Sequence, residues 1–225
     1  MPSESPVPVI AIDGPSASGK GTIARQVARN LGFHYLDSGA LYRLVALTAL
    51  RRAVALDDAA ALARIAAELE VVFSGEKVIS GGEDVTDAIR TEQVGAVASR
   101  LAALPAVRNA LLAYQHAFRL PPGLVAEGRD MGSVVFPDAV LKIYLTASVD
   151  ERAQRRYKQL IEKGMNANMA ALLQDIRQRD GRDSARAVAP LQKSGDADLL
   201  DTTSMSIAVA VTEVLARYVA KKRLP

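Results

Sequence analysis

The glycine-rich stretch GPSASGKGT at residues 14–22 constrains the fold of this chain more than any other part of it. Gly14 and Gly19 have the spacing of the phosphate-binding pattern G-x-x-x-x-G-K-[ST], and Lys20 stands at its seventh position. Glycines let the backbone turn several N–H groups toward one point, and the dipole of the following helix adds a positive end. The stretch therefore predicts a loop that holds a nucleotide polyphosphate, with Lys20 reaching the outer phosphates.

The eighth position of this loop departs from the pattern. Gly21 replaces the usual Ser or Thr, and Thr22 comes one residue later. A hydroxyl that binds magnesium is therefore missing at position 21, and Thr22 is the candidate to replace it. The residues predicted to bind the nucleotide are Gly14, Pro15, Ser16, Ala17, Ser18, Gly19, Lys20, Gly21 and Thr22.

The sequence around the loop predicts an α/β fold of the P-loop NTPase class. Residues 7–13 (VPVIAID) are typical of a strand buried on both faces, and residues 21–31 carry apolar side chains at helical spacing. Further short strands are predicted at residues 124–127, 140–145 and 199–200. Helices are predicted between and around them, at residues 38–50, 59–69, 91–119, 148–186 and 206–218. This alternation predicts a parallel sheet covered by helices on both faces.

The length of 225 residues favours a single kinase domain over residues 1–225. Residues 71–85 interrupt the α/β alternation with β-branched runs and glycine clusters, which predicts a small hairpin or meander. We interpret the region from about residue 63 to residue 92 as an inserted substrate subdomain. An arginine-rich lid is predicted at about residues 150–175.

The excess of positive charge is local. The whole chain has a net charge of +3, while residues 151–186 hold nine Lys and Arg against five Asp and Glu. This one segment therefore exceeds the charge of the whole chain, and the remainder is slightly acidic. A clamp for a small anionic substrate explains this distribution better than a basic face spread along a nucleic acid.

Composition and the first residues exclude several classes of protein. The chain has no cysteine, so disulfides, thiolate zinc sites and cysteine nucleophiles are excluded. The opening sequence MPSESPVPVIAI has no basic segment and is interrupted by prolines, which predicts neither a signal peptide nor a membrane helix. We therefore expect a soluble, cytoplasmic protein that does not bind a membrane.

Arginines stand where an enzyme that phosphorylates an already phosphorylated acceptor needs them. Such a transfer brings two polyanions together, so charge must be neutralised and water excluded, and arginine holds phosphate oxygens in a planar fork. Arg43 lies in YLDSGALYR, and Arg129 follows a predicted strand in EGRD. Because parallel strands bind ligands at their carboxyl ends, Arg129 is a candidate phosphate ligand.

Three features stay open from the residues alone. Asp130 fits either an ion pair with a neighbour or a contact to the amino group of a base. Asp37 fits a magnesium ligand or the cap of the following helix, and we favour the cap. A third group of side chains fits either a phosphate clamp or a solvated helix face, and it comprises Arg155, Arg156, Lys158 and Lys163.

Six blocks that cover almost the whole chain in order resemble bacterial cytidylate kinases. The most specific are EGRDMGSVVFPDA at residues 127–139 and RDGRDSARAVAPL at residues 179–191. The others are IAIDGPSASGKGT (10–22), YLDSGALYR (35–43), GGEDVTDAIRT (81–91) and ASRLAALPAVRNALL (98–112). The resemblance implies a nucleoside monophosphate kinase with an adenylate-kinase-like fold. It implies reversible transfer of the γ-phosphoryl group of ATP to CMP or dCMP, with Mg²⁺, giving CDP or dCDP and ADP.

The same resemblance implies roles for individual residues. It implies that cytosine is read by Ser99, Arg108 and Asp130, and that the acceptor phosphate is held by Arg43 and Arg129. Asp183 is implied to bond the ribose hydroxyls, and Ser38 to line the same pocket. The implied catalytic set, assisted by lid residues such as Arg156, comprises Lys20, Arg129, Arg179 and Arg186. No side chain is implied as a direct metal ligand.

Two other functions compete with this one. A kinase of another small acceptor, such as a shikimate-like metabolite, shares the loop, but the residues implied to read cytosine argue against it. A nucleic-acid-binding ATPase needs stacking platforms and an acidic strand end, and the sequence has ten aromatic residues, no Trp and no clear acid of that kind. We expect a monomer that binds CMP or dCMP together with ATP and does not bind nucleic acid.

Overall fold

The computed structural model of the chain describes residues 6–75, 77–162 and 164–222. The chain divides into two compact units, the first formed by Met1–Leu36 with Phe118–Pro225 and the second by Asp37–Ala117. The first unit holds β1 (Val9–Asp13), α1 (Lys20–Leu31), β2 (His34–Asp37, whose last residue is assigned to the second unit), β6 (Leu124–Gly128), β7 (Leu141–Thr146), α6 (Val149–Glu162), α7 (Met169–Ser184), β8 (Asp198–Asp201) and α8 (Ile207–Lys222). The second holds α2 (Ser38–Arg51), α3 (Ala59–Ala67), β3 (Val71–Ser74), β4 (Lys77–Ser80), β5 (Glu83–Asp84), α4 (Glu92–Leu101) and α5 (Pro105–His116).

A five-stranded sheet with the order β2–β6–β1–β7–β8 forms the centre of the first unit. β1 pairs in parallel with β6 and β7, and β7 pairs in parallel with β8. Every residue of β1 and β6 is buried, as expected for strands covered on both faces. The predicted strands at residues 7–13, 124–127, 140–145 and 199–200 are therefore confirmed.

One strand of this sheet was not predicted. β2 has four residues at an edge of the sheet, and Leu36 alone among them is buried, so it lacks the apolar run that marks the other strands. Such a short edge strand is defined by its hydrogen bonds more than by its composition. The N–H of His34 donates to the carbonyl of Gly123 at 2.8 Å.

Two helices cover one face of the sheet. The apolar stripe of α1, which includes Ile23 and Val27, packs with Val214 of α8 against Ile12 and Ile143. α1 begins directly after the phosphate loop, so its packing fixes where the loop stands.

The second unit combines helices with a small antiparallel sheet. β3, β4 and β5 pair in sequence, which confirms the meander predicted at residues 71–85. Leu44 of α2 packs with Val78, Val85 and Ile89 in the core of this unit. The predicted insert at residues 63–92 lies inside the unit, which itself starts earlier and ends later. The description of the chain as one kinase domain with this insert stays a prediction.

The helical prediction for residues 148–186 is confirmed as two helices, α6 and α7. Lys163, between these two helices in the sequence, lies outside the described residues. Residues 1–5 of the opening sequence also lie outside them. That α6 and the first part of α7 act as a lid stays a prediction. No helix within the described ranges is long and apolar enough to cross a membrane.

Candidate active site

The phosphate loop is a tight turn between β1 and α1. A side chain at Gly14 is impossible without rearrangement, because its Cβ would lie 2.0 Å from the backbone oxygen of Leu145. Ala17 and Gly19 have positive φ values of 57° and 91°, which turn the backbone before α1 starts at Lys20. Within the described residues, the hydroxyls of Ser16 and Ser18 are buried and have no hydrogen-bond partner. The loop thus has the shape that the sequence predicted.

Lys20 lies between the loop and an acidic side chain. Its ammonium donates to the carbonyl of Pro15 at 3.1 Å and stands 3.8 Å from Oε2 of Glu127. The other oxygen of Glu127 accepts a hydrogen bond from the hydroxyl of Tyr35 at 2.9 Å. No clear acid at a strand end was expected from the sequence, and this was wrong. Glu127 is a buried residue near the end of β6, and it is the charged side chain of the buried strand LVAEG.

Glu127 also explains the unusual Gly21. A Cβ at this position would lie 2.7 Å from Oε1 of Glu127, so the carboxylate occupies the space that a Ser or Thr side chain needs. Thr22, the next residue of α1, is exposed. The departure from the loop pattern is therefore matched by an acidic residue on the neighbouring strand.

Three charged side chains meet at a second place in the first unit. Nε of Arg129, which follows β6, donates to Oδ2 of Asp183 at 2.9 Å, while Arg186 donates to Oδ1 of the same carboxylate. The Asp183 side chain is 1% exposed. Burial alone would raise the pKa of Asp183, but the positive charges of Arg129, Arg186 and Arg179 outweigh it and hold this pKa below its usual value.

α6 is attached to the phosphate loop by two arginines. The buried Arg152 donates to the carbonyl of Ser16 at 3.2 Å and forms a two-pronged ion pair with Asp180 of α7, at 3.1 and 2.6 Å. Arg155 donates to the carbonyl of Ser18 at 2.9 Å. Arg152 and Asp180 were counted in the charged segment 151–186, but their pairing was not predicted, because a pair 28 residues apart leaves no local signal.

The basic side chains on α6 were expected to form either a phosphate clamp or a solvated helix face, and the structure differs from one side chain to the next. Arg155 is half-buried and bonds to the loop and to Thr202, so it is not a solvated side chain. Lys158 is 78% exposed and lies 3.9 Å from Glu162, which fits a solvated helix face. Arg156 is half-buried. The clamp that charge counting predicted is therefore partly structural.

A buried carboxylate also stabilises the turn that carries Asp130. Asp13, the last residue of β1, accepts hydrogen bonds from the N–H groups of Met131 and Gly132, each at 2.8 Å. Burial raises the pKa of Asp13 to about 6, although these two hydrogen bonds oppose the shift. Asp130 itself is buried.

The remaining predicted residues lie in the second unit. Arg43 donates to the carbonyl of Ile89 at 2.6 Å, and Ser38 accepts from Gln115 at 2.9 Å. Arg108 lies within 3.4 Å of the hydroxyl of Tyr42, and Ser99 is buried. The remaining open residue, Asp37, accepts from the N–H of Ala40 at 3.0 Å, which confirms the cap of α2.

The structure thus places the predicted residues in two sets. The first unit holds the phosphate loop, Arg129, Asp130, Arg179, Asp183 and Arg186, and the second holds Ser38, Arg43, Ser99 and Arg108. Within the ranges that the structure describes, no three His, Cys, Asp or Glu side chains are grouped so as to hold a metal ion. The groups present are backbone amides, one lysine and several arginines, which are of the kind that bind phosphate.

Comparisons with known proteins agree with this chemistry. The sequence model of the family described as cytidylate kinase matches residues 10–221. A protein named cytidylate kinase from Chromobacterium violaceum is 61% identical over 216 residues, covering 96% of this chain and 97% of that protein. One of the same name from Pseudomonas aeruginosa is 60% identical over 218 residues, covering 94% and 95%. A gluconokinase from Sinorhizobium meliloti shares the fold, with a TM-score of 0.51 and 15% identity over 96% of this chain and 94% of its own.

Proposed function

The chain belongs to the cytidylate kinase family, and from this premise we propose that it transfers the γ-phosphoryl group of ATP to CMP, giving ADP and CDP. We include dCMP as an acceptor and the reverse reaction in the proposal. The observation that carries it is the buried cluster of Arg129, Asp183 and Arg186 in the unit that holds the phosphate loop. Several arginines near a polyphosphate loop suit a second phosphorylated substrate better than water.

The phosphate loop and Lys20 provide the donor side of this proposal. Backbone N–H groups of residues 16–19 and the first turn of α1 suit the β- and γ-phosphates of ATP. Lys20 is already close to the loop through its bond to Pro15, so it needs little rearrangement to contact an outer phosphate. Positioning and charge neutralisation suffice for the transfer, because the acceptor phosphate is already ionised and no side chain has to act as the nucleophile.

The arginine cluster provides the charge neutralisation. In the structure both oxygens of Asp183 bind arginines, and the resemblance assigns this carboxylate to the ribose hydroxyls. A hydroxyl that donates to Asp183 would share it with Arg129 and Arg186, whose other N–H groups then serve phosphate oxygens. We assign Arg129, Arg179 and Arg186 to the transferring group, and Arg43 and Arg129 to the acceptor phosphate.

Cytosine is the base that the remaining polar residues suit. It presents an amino donor at N4 and acceptors at N3 and O2, so a carboxylate accepts from N4 while an arginine donates to the ring acceptors. We assign Asp130 to the first role, Arg108 and Ser99 to the second, and Ser38 to binding of the same substrate. Uracil has the opposite polarity at positions 3 and 4, and its binding would leave buried partners unsatisfied.

Magnesium would be held by oxygen ligands near the loop. The buried carboxylate of Glu127, 3.8 Å from Lys20, and the hydroxyl of Thr22 are the side chains of suitable chemistry there. When bound, Mg²⁺ neutralises charge on the phosphates of ATP. The role of this chain is to hold Glu127 through Tyr35 and to keep position 21 free of a side chain.

A panel of acceptors tests the proposal. ADP release would be measured with CMP, dCMP, UMP, AMP and GMP under the same conditions. We expect turnover with CMP and dCMP to exceed that with the purine nucleotides at least about a hundredfold, since a polar site rejects a mismatched base strongly. No turnover with CMP, or equal turnover with every acceptor, would refute it.

Arg129→Ala tests the assigned catalytic role. We expect kcat with CMP to fall at least about a hundredfold, because a donor to the transferring group is lost, while the Kd for ATP changes less than about threefold. The matched control is Arg217→Ala, which removes an arginine paired with Glu213 on the surface of α8. Turnover of CMP that stays unchanged in Arg129→Ala would contradict the assignment.

A further inference from the structure

Asp13 is a buried carboxylate for which neither the loop pattern nor the resemblance provides a role. It ends β1, directly before Gly14 of the phosphate loop, and it is 8% exposed. Its two oxygens accept from two successive backbone amides, those of Met131 and Gly132, each at 2.8 Å. Asp13 therefore links the end of β1 to the backbone that follows β6.

The amides that Asp13 binds belong to the turn that immediately follows Arg129 and Asp130. This turn is a short π-helical segment, Met131–Val135, in which Val134 and Val135 donate to the carbonyl of Asp130 at 2.9 and 3.2 Å. The side chain of Met131 is fully buried, so the turn is held both from within and from β1. A change in the bonds to Asp13 is therefore expected to move the backbone at Arg129 and Asp130.

We propose that Asp13 is a positioning residue, which fixes the directions of Arg129 and Asp130 toward the acceptor nucleotide through its bonds to Met131 and Gly132. The inference rests on the proposed function, since it takes the acceptor to be a nucleoside monophosphate. The inference also links Asp13 to both substrates. Asp13 stabilises the acceptor side with its side chain, and its own peptide leads into the loop for ATP.

The ionised form is the one that suits this role. A carboxylate offers an acceptor to each of the two N–H groups, whereas a protonated acid or an amide offers one acceptor and places a donor against the other N–H. The charged and titratable groups that face Asp13 are Asp130 and Arg129 from the turn and Tyr144 from β7. Asp13→Asn keeps the size of the side chain and removes one acceptor, so it is the variant of choice.

Binding and turnover with Asp13→Asn test the inference at pH 7.5. We expect KM for CMP to rise about tenfold or more, as for the loss of a hydrogen bond to a charged group, while the Kd for ATP stays within about twofold. Asp58→Asn is the matched control, because Asp58 also accepts a backbone N–H, that of Ala61 at 2.9 Å, and Asn is an equally good helix cap. Equal losses for CMP and ATP, or no loss for CMP, would overturn the positioning role.

A second measurement needs no variant. In the wild-type chain the amide proton resonances of Met131 and Gly132 should shift together as Asp13 is protonated, with a midpoint near its pKa of about 6. Amides that do not move with pH would overturn the inference even if Asp13→Asn does not fold. If the wild-type chain leaves CMP unphosphorylated, the proposed function fails, and the amide titration still decides whether Asp13 holds the turn.

Discussion

Replacing Asp183 by Asn should destabilise the first unit strongly. The carboxylate is 1% exposed, and the two guanidinium groups that bind it, those of Arg129 and Arg186, are 15% and 7% exposed. Asn has nearly the same shape, so the change removes the negative charge and leaves the packing in place. Both arginines then lose the anion that compensates for their burial.

Burial sets the expected magnitude. Removing one partner of a buried ion pair costs about 3–5 kcal/mol, whereas an exposed pair contributes about 0–1 kcal/mol. We therefore expect Asp183→Asn to lower the free energy of unfolding by about 3–5 kcal/mol at neutral pH. The direction of the pKa shift agrees, because burial is outweighed by the arginines and the pKa of Asp183 is lowered. Its contribution is thus present above its ordinary pKa of 3.8 and is lost as the pH falls through the lowered value.

Urea unfolding followed by far-UV circular dichroism measures this loss. Glu213→Gln is the matched control, because Glu213 pairs with Arg217 at 2.8 Å in the same unit but is 44% exposed. Its cost should be about 0.5 kcal/mol, as for other pairs one turn apart on a helix. A loss below about 1 kcal/mol for Asp183→Asn would refute the reasoning, since burial would then make no difference to the strength of the pair.

Four further outcomes are expected. Gly14→Ala should weaken ATP binding at least about tenfold by calorimetry, because its Cβ would lie 2.0 Å from a backbone oxygen of β7. Gly181→Ala, which meets no atom within 4 Å inside a helix, should leave ATP binding intact and add about 0.5–1 kcal/mol of stability. Gly21→Ser should displace Glu127 and lower kcat at least about tenfold in the ADP-release assay, and an unchanged kcat would show that the carboxylate has no part in turnover. The pKa of Asp13, raised by burial from 3.8 to about 6, makes its contribution to stability full below about pH 4 and lost as the pH rises through about 6. The free energy of unfolding of the wild type, relative to that of Asp13→Asn, should therefore fall by about 3 kcal/mol between about pH 4 and pH 7. Urea unfolding of both proteins measures this difference, and a difference that stays constant with pH would contradict the expectation.

Features encoded in neighbouring residues could be predicted from the sequence. The loop, α1 and the buried strands follow from glycine spacing and apolar runs, and the cap by Asp37 follows from one side chain placed before a helix. The motifs also predicted the family, which the comparisons confirm. β2 was missed because an edge strand with one buried residue carries little hydrophobic signal.

Pairs of residues far apart in sequence could not be predicted in the same way. Arg152 and Asp180, or Asp13 and the amides after Asp130, meet because the sheet and helices bring them together. Counting charges predicted a clamp for an anionic substrate in residues 151–186, but it gave no indication that Arg152 and Arg155 bind carbonyl oxygens of the loop. The assigned roles of the site residues stay predictions.

The contact between Gly21 and Glu127 links two positions that are 106 residues apart. One region of space beside the loop is filled either from α1, by a hydroxyl side chain at position 21, or from β6, by a carboxylate at position 127. With Glu127 in its present position the two compete, because a Cβ at position 21 would lie 2.7 Å from Oε1 of Glu127 and the carboxylate would have to move. Substitutions at these positions should consequently be accepted as pairs, and a shorter residue at 127 should make Ser or Thr at 21 tolerable.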